Sequence, residues 1–251
     1  MRLALAAATI AGLLLAVPVH GEETPACPVE DYLLTSEFAL PGVAAAYNAK
    51  EPISILVVGS KSSSLGGADG PSSSYPARME AALREKWPGL NISVTTAILR
   101  STAAEIVQQF EQIVSERKPT LVIWQTGTVD ALRSVDPDDF RTALEDGIAA
   151  LQKKGVDVIL INLQYSPRVD TMLSATPYND TMRVVAQERG VPLFDRFAIM
   201  RAWNEAGAFD LFGAARGSGV AKRVHDCLGR ALARLVVDVA RVERSSGEAG
   251  R

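Results

Sequence analysis

Short apolar runs recur along the chain, and four of the five end at a glycine or at a polar residue. They cover residues 53–59, 91–96, 120–125, 156–162 and 191–194. Apolar and polar positions hardly alternate within the runs, which is typical of strands in a parallel sheet that is buried on both faces. The pattern therefore predicts five parallel strands.

Helical patterns lie between these runs, over residues 75–86, 102–117, 138–154 and 176–189, and a last one covers residues 220–242. The last helix carries an apolar stripe that is expected to face the core, formed by Val220, Val224, Cys227, Leu228, Ala231 and Leu235. Because strands and helices alternate, the sequence predicts a three-layer α/β/α sandwich with right-handed crossovers.

Residues 1–21 have the features of a cleaved signal peptide. Arg2 precedes an apolar stretch, and Val19 and Gly21 occupy the small-residue positions before a cleavage site. The apolar stretch is too short for a stable membrane span, since Pro18 and Glu22 follow it closely. We therefore expect an exported protein, periplasmic or secreted, with no stable span after cleavage.

The remaining chain divides into an N-terminal arm (residues 22–50), one domain (residues 51–244) and a polar tail (residues 245–251) that is expected to be disordered. Of the 251 residues, 47% are hydrophobic, which is sufficient for one well-buried domain. The net charge of −3 and the scattered basic residues argue against a nucleic-acid surface.

Cysteine and histidine are scarce in this chain. Cys27 and Cys227 are the two cysteines, and His225 is the one histidine left after signal cleavage, because His20 is removed. These are too few ligands for a zinc site, and the loop after the first strand does not match a phosphate-binding motif, so we expect no metal and no cofactor. In an oxidising compartment Cys27 and Cys227 could form a disulfide; two buried free thiols are the alternative.

Several segments resemble the SGNH (GDSL) hydrolases. The stretch "ILVVGSKSSSLGG" resembles their first block, in which a strand ends before the nucleophilic serine, and "LVIWQTGTVDAL" resembles their third block. The segments "YPARMEAALREKWPG", "DVILINLQYSPRV" and "CLGRALARLV" are similar to the scaffold of an exported bacterial branch. The resemblance runs from about residue 50 to the end of the last helix and implies a flavodoxin-like strand order.

The catalytic residues of that family are not found at the matching positions. The nucleophile position, two residues after Gly59, holds Lys61, and the oxyanion asparagine position holds Val129. The loop "TTAILRSTAAE" lacks the oxyanion glycine, and "ARGSGVAKR" lacks the Asp-x-x-His pair. Acyl transfer needs a nucleophile, a base and oxyanion donors, so the resemblance implies the fold with degenerate chemistry.

A shifted catalytic set would have to use Ser60 or Ser62 with His225 as the base, or with Lys61 if that lysine were desolvated. The alternatives are that the serines serve as turn and cap residues, and that His225 is a structural or surface residue of its helix.

Cations follow four of the predicted strands: Lys61, Arg100, Arg133 and Arg168. The loops after parallel strands share one edge of the sheet, so these side chains could bind an anionic small molecule or envelope component. Gln164 and Tyr165 are expected to face the same cleft. The sequence thus leaves two functional hypotheses, an inactive SGNH-fold binding protein and an active esterase, deacetylase or acyltransferase.

Overall fold

The apolar runs of the sequence pair into one parallel sheet in the computed structural model. The structure describes residues 27–168, 173–212 and 218–241. The strands are β1 (Ile53–Gly59), β2 (Ile92–Ile98), β3 (Leu121–Gln125), β4 (Asp157–Ile161) and β5 (Leu193–Phe194). The expected signal peptide, the start of the arm and the expected disordered tail lie outside the described residues.

The strand order is β2-β1-β3-β4-β5, and every neighbouring pair is parallel. This order confirms the five-stranded, flavodoxin-like sheet that the sequence implied. The expectation that all strands are buried on both faces is wrong for β2, in which only Ile92 is buried. The physical reason is its position, because β2 pairs with β1 alone and forms the edge of the sheet.

Helices cover both faces of this sheet. Those in the described residues are α1 (Pro41–Ala49), α2 (Gly70–Ser73), α3 (Tyr75–Lys86), α4 (Ala103–Arg117), α5 (Thr128–Leu132), α6 (Pro137–Lys153), α7 (Ala175–Arg189), α8 (Arg196–Glu205) and α9 (Ser218–Ala240). Helices α1, α3 and α9 pack together, and α6 packs between α4 and α7. The three-layer architecture is therefore confirmed, whereas α1 and α8 are elements that the sequence patterns did not predict.

The predicted core stripe of the last helix is buried except for Val220, which is partly buried. Cys227 and Leu235 are almost fully buried, and Val224, Leu228 and Ala231 join them in the core. On the other face, Trp124 of β3 is fully buried and packs edge-on against Phe110 at 4.9 Å between ring centroids. These contacts hold the carboxyl end of β3, and thus the loop that follows it, in a fixed position.

The N-terminal arm is attached to the domain at several points. Cys27 and Cys227 form a disulfide, with their Cα atoms 5.3 Å apart. The indole N–H of Trp203 donates to the carbonyl oxygen of Pro28 at 2.6 Å. Helix α1 begins at Pro41, and the Asp157 carboxylate accepts hydrogen bonds from backbone N–H groups of its first turn. No helix in the described part of the chain is long and apolar enough to span a membrane.

Candidate functional site

The loop after β1 lies at the edge of the sheet where open α/β folds bind ligands. It forms a single 3₁₀ turn over Lys61–Ser63, and the Ser60 side chain caps this turn by accepting from the backbone N–H of Ser62. Gly59 allows the turn to fold back, because a Cβ atom there would lie 2.4 Å from Ser63 Oγ. The serines of the loop are therefore held in place, with one of them serving as a cap.

Gln125, the last residue of β3, accepts several hydrogen bonds from this loop. Its Oε1 atom accepts from the Ser60 backbone N–H at 2.8 Å and from the Ser60 and Ser63 hydroxyls at 3.0 Å each. The backbone donor fixes the orientation of the amide, since an N–H group can only donate. Gln125 is 1% exposed, so these bonds form inside the protein.

The hydroxyls of Ser60, Ser62 and Ser63 all lie within hydrogen-bond distance of this amide oxygen. Ser60 and Ser63 each have one proton and donate it to Gln125. The Ser63 hydroxyl also lies 2.8 Å from the Tyr75 hydroxyl, and the Ser62 hydroxyl lies 3.1 Å from Ser60 Oγ and 3.4 Å from Gln125 Oε1. The serine hydroxyls thus donate hydrogen bonds to a neutral carboxamide, which cannot act as a base.

His225 is the eighth residue of α9, at the start of its third turn, and is buried. Its Nδ1 atom accepts the backbone N–H of Tyr75, the first residue of α3, at 3.0 Å. This bond satisfies one of the N–H groups that a helix start leaves open, and it places the imidazole proton on Nε2. Burial, assisted by the nearby Arg196 charge, lowers the pKa of His225 to about 4.

These facts bear on each candidate for catalysis. The acceptor nitrogen of His225 already holds a backbone N–H, so it is not free to take a proton from a serine. Lys61 is exposed and therefore lacks the desolvation that a neutral lysine base requires. Val129, at the position of the oxyanion asparagine, lies in α5 and has no side-chain donor.

The four cations predicted for the cleft have different surroundings. Lys61 and Arg100 are exposed. Arg133 forms an ion pair with Glu105 at 2.9 Å and donates to the Arg100 carbonyl oxygen at 3.2 Å. Arg168 lies over the Phe212 ring, 5.4 Å from its centroid. Arg133 is thus paired with a carboxylate of the same chain at the surface.

Gln164 and Tyr165, which the sequence analysis assigned to a cleft, are among the lining residues of a cavity. The cavity has a volume of about 230 Å³. Arg168, Met200, Phe212 and His225 are among its other lining residues. Its wall is mostly apolar with a few polar groups, as in small-molecule sites, but its volume lies below the range of about 300–1,000 Å³ that is usual for them.

Arg196 is a site residue that the sequence analysis missed. It is the first residue of α8, is 1% exposed, and donates from Nη1 to Ser62 Oγ at 3.3 Å. Its position could have indicated a role in the site. Arg196 comes two residues after the end of β5, and the loop there lies at the same edge of the sheet as the loops after the other strands. Among the described residues, no group of histidine, cysteine or acidic side chains is arranged to hold a metal ion.

Solved structures with similar folds include several ester hydrolases. An acetylxylan esterase from Geobacillus stearothermophilus is 22% identical, with a TM-score of 0.58. The match covers 73% of this chain and 94% of the esterase chain. A putative lipolytic protein of the G-D-S-L family from Desulfitobacterium hafniense DCB-2 is 17% identical, with a TM-score of 0.55 and coverages of 72% and 98%. The structure of TesA is 24% identical, with a TM-score of 0.53 and coverages of 74% and 95%. At these identities the likeness shows the fold.

Comparison at the level of the sequence adds the family. A search among curated proteins gives no match. The model of the Non-GDSL lipase-like family matches residues 26–242, which is most of the chain. The chain therefore belongs to the Non-GDSL lipase-like family and has the fold of the SGNH hydrolases.

Proposed function

We propose that this protein is an exported SGNH-fold protein that binds a ligand in the former active-site cleft and does not hydrolyse esters. One observation carries the proposal. The serine hydroxyls at the nucleophile loop donate toward the Gln125 carboxamide, which fixes the loop but cannot accept a proton. The loop has kept its position in the fold and uses its serines as structural donors.

The energetic consequence for hydrolysis is large. Without an activated serine and a base, covalent and general-base catalysis are both lost. Each missing oxyanion donor removes about 3 kcal/mol of transition-state stabilisation. These losses are expected to bring the rate down to the level of the uncatalysed reaction.

An active ester hydrolase that uses Ser62 is the second candidate. One contact favours it, because the Arg196 guanidinium lies 3.3 Å from Ser62 Oγ and would stabilise an ionised hydroxyl. This enzyme would still need a group to remove the proton, and His225 and Lys61 do not meet that need in the arrangement described above.

Turnover of p-nitrophenyl acetate and butyrate separates the two candidates. We expect the rate with the purified protein to equal that with a boiled sample. Ser60→Ala and Ser62→Ala should leave it unchanged, like the control Ser72→Ala at an exposed position of α2. Turnover that disappears in Ser62→Ala alone would establish the enzyme and reject the binding-protein proposal.

Export is supported by the leader-like sequence of residues 1–21 and by the disulfide, because disulfides persist in oxidising compartments. Expressed in a bacterial host from the full sequence, the protein is expected in the periplasmic or secreted fraction. Its intact mass should correspond to a chain that begins at Glu22. A cytoplasmic product that retains Met1 would contradict the proposal.

A further inference from the structure

The outer edge of the sheet is formed by β2, whose backbone groups point alternately toward β1 and away from it. Leu99, the residue after β2, donates its backbone N–H to the Gly59 carbonyl oxygen of β1 at 2.7 Å. The odd-numbered residues of β2 therefore face β1, and the even-numbered residues direct their N–H and C=O groups outward. These outward-facing residues are Ile92, Val94, Thr96 and Ile98.

Two arginine side chains mark the limits of this outer edge. Arg84 of α3 donates to the Ile92 carbonyl oxygen at 2.7 Å, and Arg133 donates to the Arg100 carbonyl oxygen at 3.2 Å. For the outward-facing backbone groups between these two points, no partner is present in the described part of the chain. They belong to Val94, Thr96 and Ile98. Backbone donors and acceptors need partners, so this stretch binds either water or another strand.

Strand β2 lacks the features by which soluble proteins protect the edge of a sheet. Its sequence, ISVTTAI, contains no charged residue, no proline and no glycine. It has seven residues, as many as β1, and its register with β1 runs from end to end without a bulge. A long, uncharged and regular edge strand is a template for pairing with a further strand. We therefore expect this edge to be covered in the native protein.

The outward-facing residues of β2 are complementary to themselves under a two-fold rotation. In an antiparallel pair centred on Thr96, this residue lies opposite Thr96 of a second copy, and Val94 lies opposite Ile98. Residues at these positions exchange both of their N–H···O bonds, so every free backbone group of the stretch finds a partner. Threonines that lie opposite each other can share a hydrogen bond, and β-branched side chains pack well on a pleated surface.

The two ends of the stretch agree with the same centre. Thr96 is the midpoint between Ile92 and Arg100, the residues whose carbonyl oxygens the arginines cover. In the pair centred on Thr96, Ile92 of one copy lies opposite Arg100 of the other, so the ladder ends where backbone groups already have partners. A strand from a different protein would not need this symmetry, which favours a second copy as the occupant.

We propose that two copies of this protein form a dimer in which their β2 edges pair antiparallel about a two-fold axis at Thr96, so that the two sheets become one. This inference goes beyond the proposed function and does not depend on it. Among the described residues, no residue of β2 lines the cavity beside Gln164 and Tyr165. Ester turnover and ligand binding can therefore be present or absent whether or not the dimer forms.

Sedimentation velocity over about a hundredfold range of protein concentration tests the proposal. A species of twice the monomer mass should appear, and its fraction should increase with concentration. A protein that stays monomeric over the whole range overturns the proposal. Assemblies that grow beyond the dimer also overturn it, because an antiparallel pair about a two-fold axis is closed.

Thr96→Pro removes the central outward N–H group and keeps the hydrogen bonds to β1, since Thr96 faces away from that strand. Its dissociation constant for the dimer should be at least tenfold higher than that of the wild type. The Tm of the two proteins, measured at a dilution at which both are monomeric, should be similar and thus shows that the variant is folded. Dimerisation of the folded variant as strong as that of the wild type contradicts the proposal.

A charge exchange at Thr96 gives a second test, because this side chain is exposed. Thr96→Lys and Thr96→Glu each place like charges opposite each other at the two-fold axis, so each variant alone should be monomeric. An equimolar mixture pairs opposite charges and should restore the dimer. The matched controls are Thr95→Lys and Thr95→Glu, at an exposed position opposite Ala97, where mixing should have much less effect. If mixing has the same effect at both positions, or none at either, the pairing centred on Thr96 is wrong.

Discussion

At the scale of single residues, His225 illustrates how a neighbour fixes the chemistry of a side chain. Its Nδ1 atom accepts the Tyr75 backbone N–H, and burial and the Arg196 charge hold its pKa at about 4, against an ordinary value of 6.5. Between these two values the unfolded chain binds a proton that the folded chain does not bind. The contribution of His225 to stability is therefore complete above pH 6.5 and is lost as the pH falls toward 4.

His225→Asn tests this dependence, because the Asn side-chain oxygen can accept the Tyr75 N–H without titrating. Between pH 7 and pH 4.5 the wild type should lose about 2 kcal/mol more of its free energy of unfolding than the variant does. Urea denaturation at both pH values measures the difference. Carboxyl groups such as Asp130 and Asp157 titrate in both proteins and cancel. Parallel pH profiles of the two proteins would show that His225 is not buried in its neutral form.

Arg196 shows why residue-level chemistry was only partly predictable. The sequence placed the serine loop correctly at the sheet edge, because the end of an apolar run can be read directly. It did not reveal Arg196, since the burial of that side chain depends on Ser62, Tyr75 and His225, which come from distant parts of the chain. The role of Gln125 was hidden in the same way, because the pairing of β1 with β3 brings its amide to the loop.

At the scale of elements, the contact between α3 and α9 sets the position of His225. Gly229 lies one turn after His225 in α9, and a Cβ atom there would be 2.5 Å from Arg78 Cβ and 2.8 Å from the backbone nitrogen of Met79. The two helices therefore approach so closely that only glycine fits at this crossing. The approach also allows the His225 ring to reach the start of α3.

Gly229→Ala should separate these helices and reduce the free energy of unfolding by about 1–3 kcal/mol. The matched control is Gly219→Ala in the first turn of the same helix, where no atom lies within 4 Å of the added Cβ. That change should be neutral or stabilising by up to about 1 kcal/mol, because alanine favours the helix. Guanidinium denaturation of both variants measures the effect. Equal stabilities of the two variants would mean that the close helix crossing is absent.

The elements that the sequence predicted and those that it missed differ in their patterns. The buried strands β1, β3 and β4 are continuous apolar runs, and α9 has a regular stripe, so each was visible from the residues alone. Helix α1 is short and rich in alanine, with little contrast between its faces. Helix α8 follows β5 after a single residue, Asp195, so no polar linker sets it apart from the strand.

At the scale of the whole molecule, the described part of the arm is bound to the C-terminal helix. Besides the disulfide, the Leu40 backbone N–H donates to the Val239 carbonyl oxygen at 3.1 Å, and Arg234 forms an ion pair with Asp31 at 2.7 Å. Leu40 is almost fully buried and belongs to the same core as the domain. The arm and the helix that carries His225 are therefore expected to unfold together.

The disulfide is expected to make the largest single contribution to this coupling. It joins residues 200 positions apart, and constraint of the unfolded chain gives an upper figure of about 5 kcal/mol. Without reductant, the protein should show no free thiol on alkylation under denaturing conditions, and two after reduction. The double variant Cys27→Ser, Cys227→Ser should unfold at a lower urea concentration than the wild type, and reductant should lower the stability of the wild type alone. Two alkylated thiols in the non-reduced protein would exclude the bond. If the wild type contains the bond but has the same urea midpoint as the double variant, the remaining contacts of the arm, and not the constraint on the unfolded chain, stabilise α9.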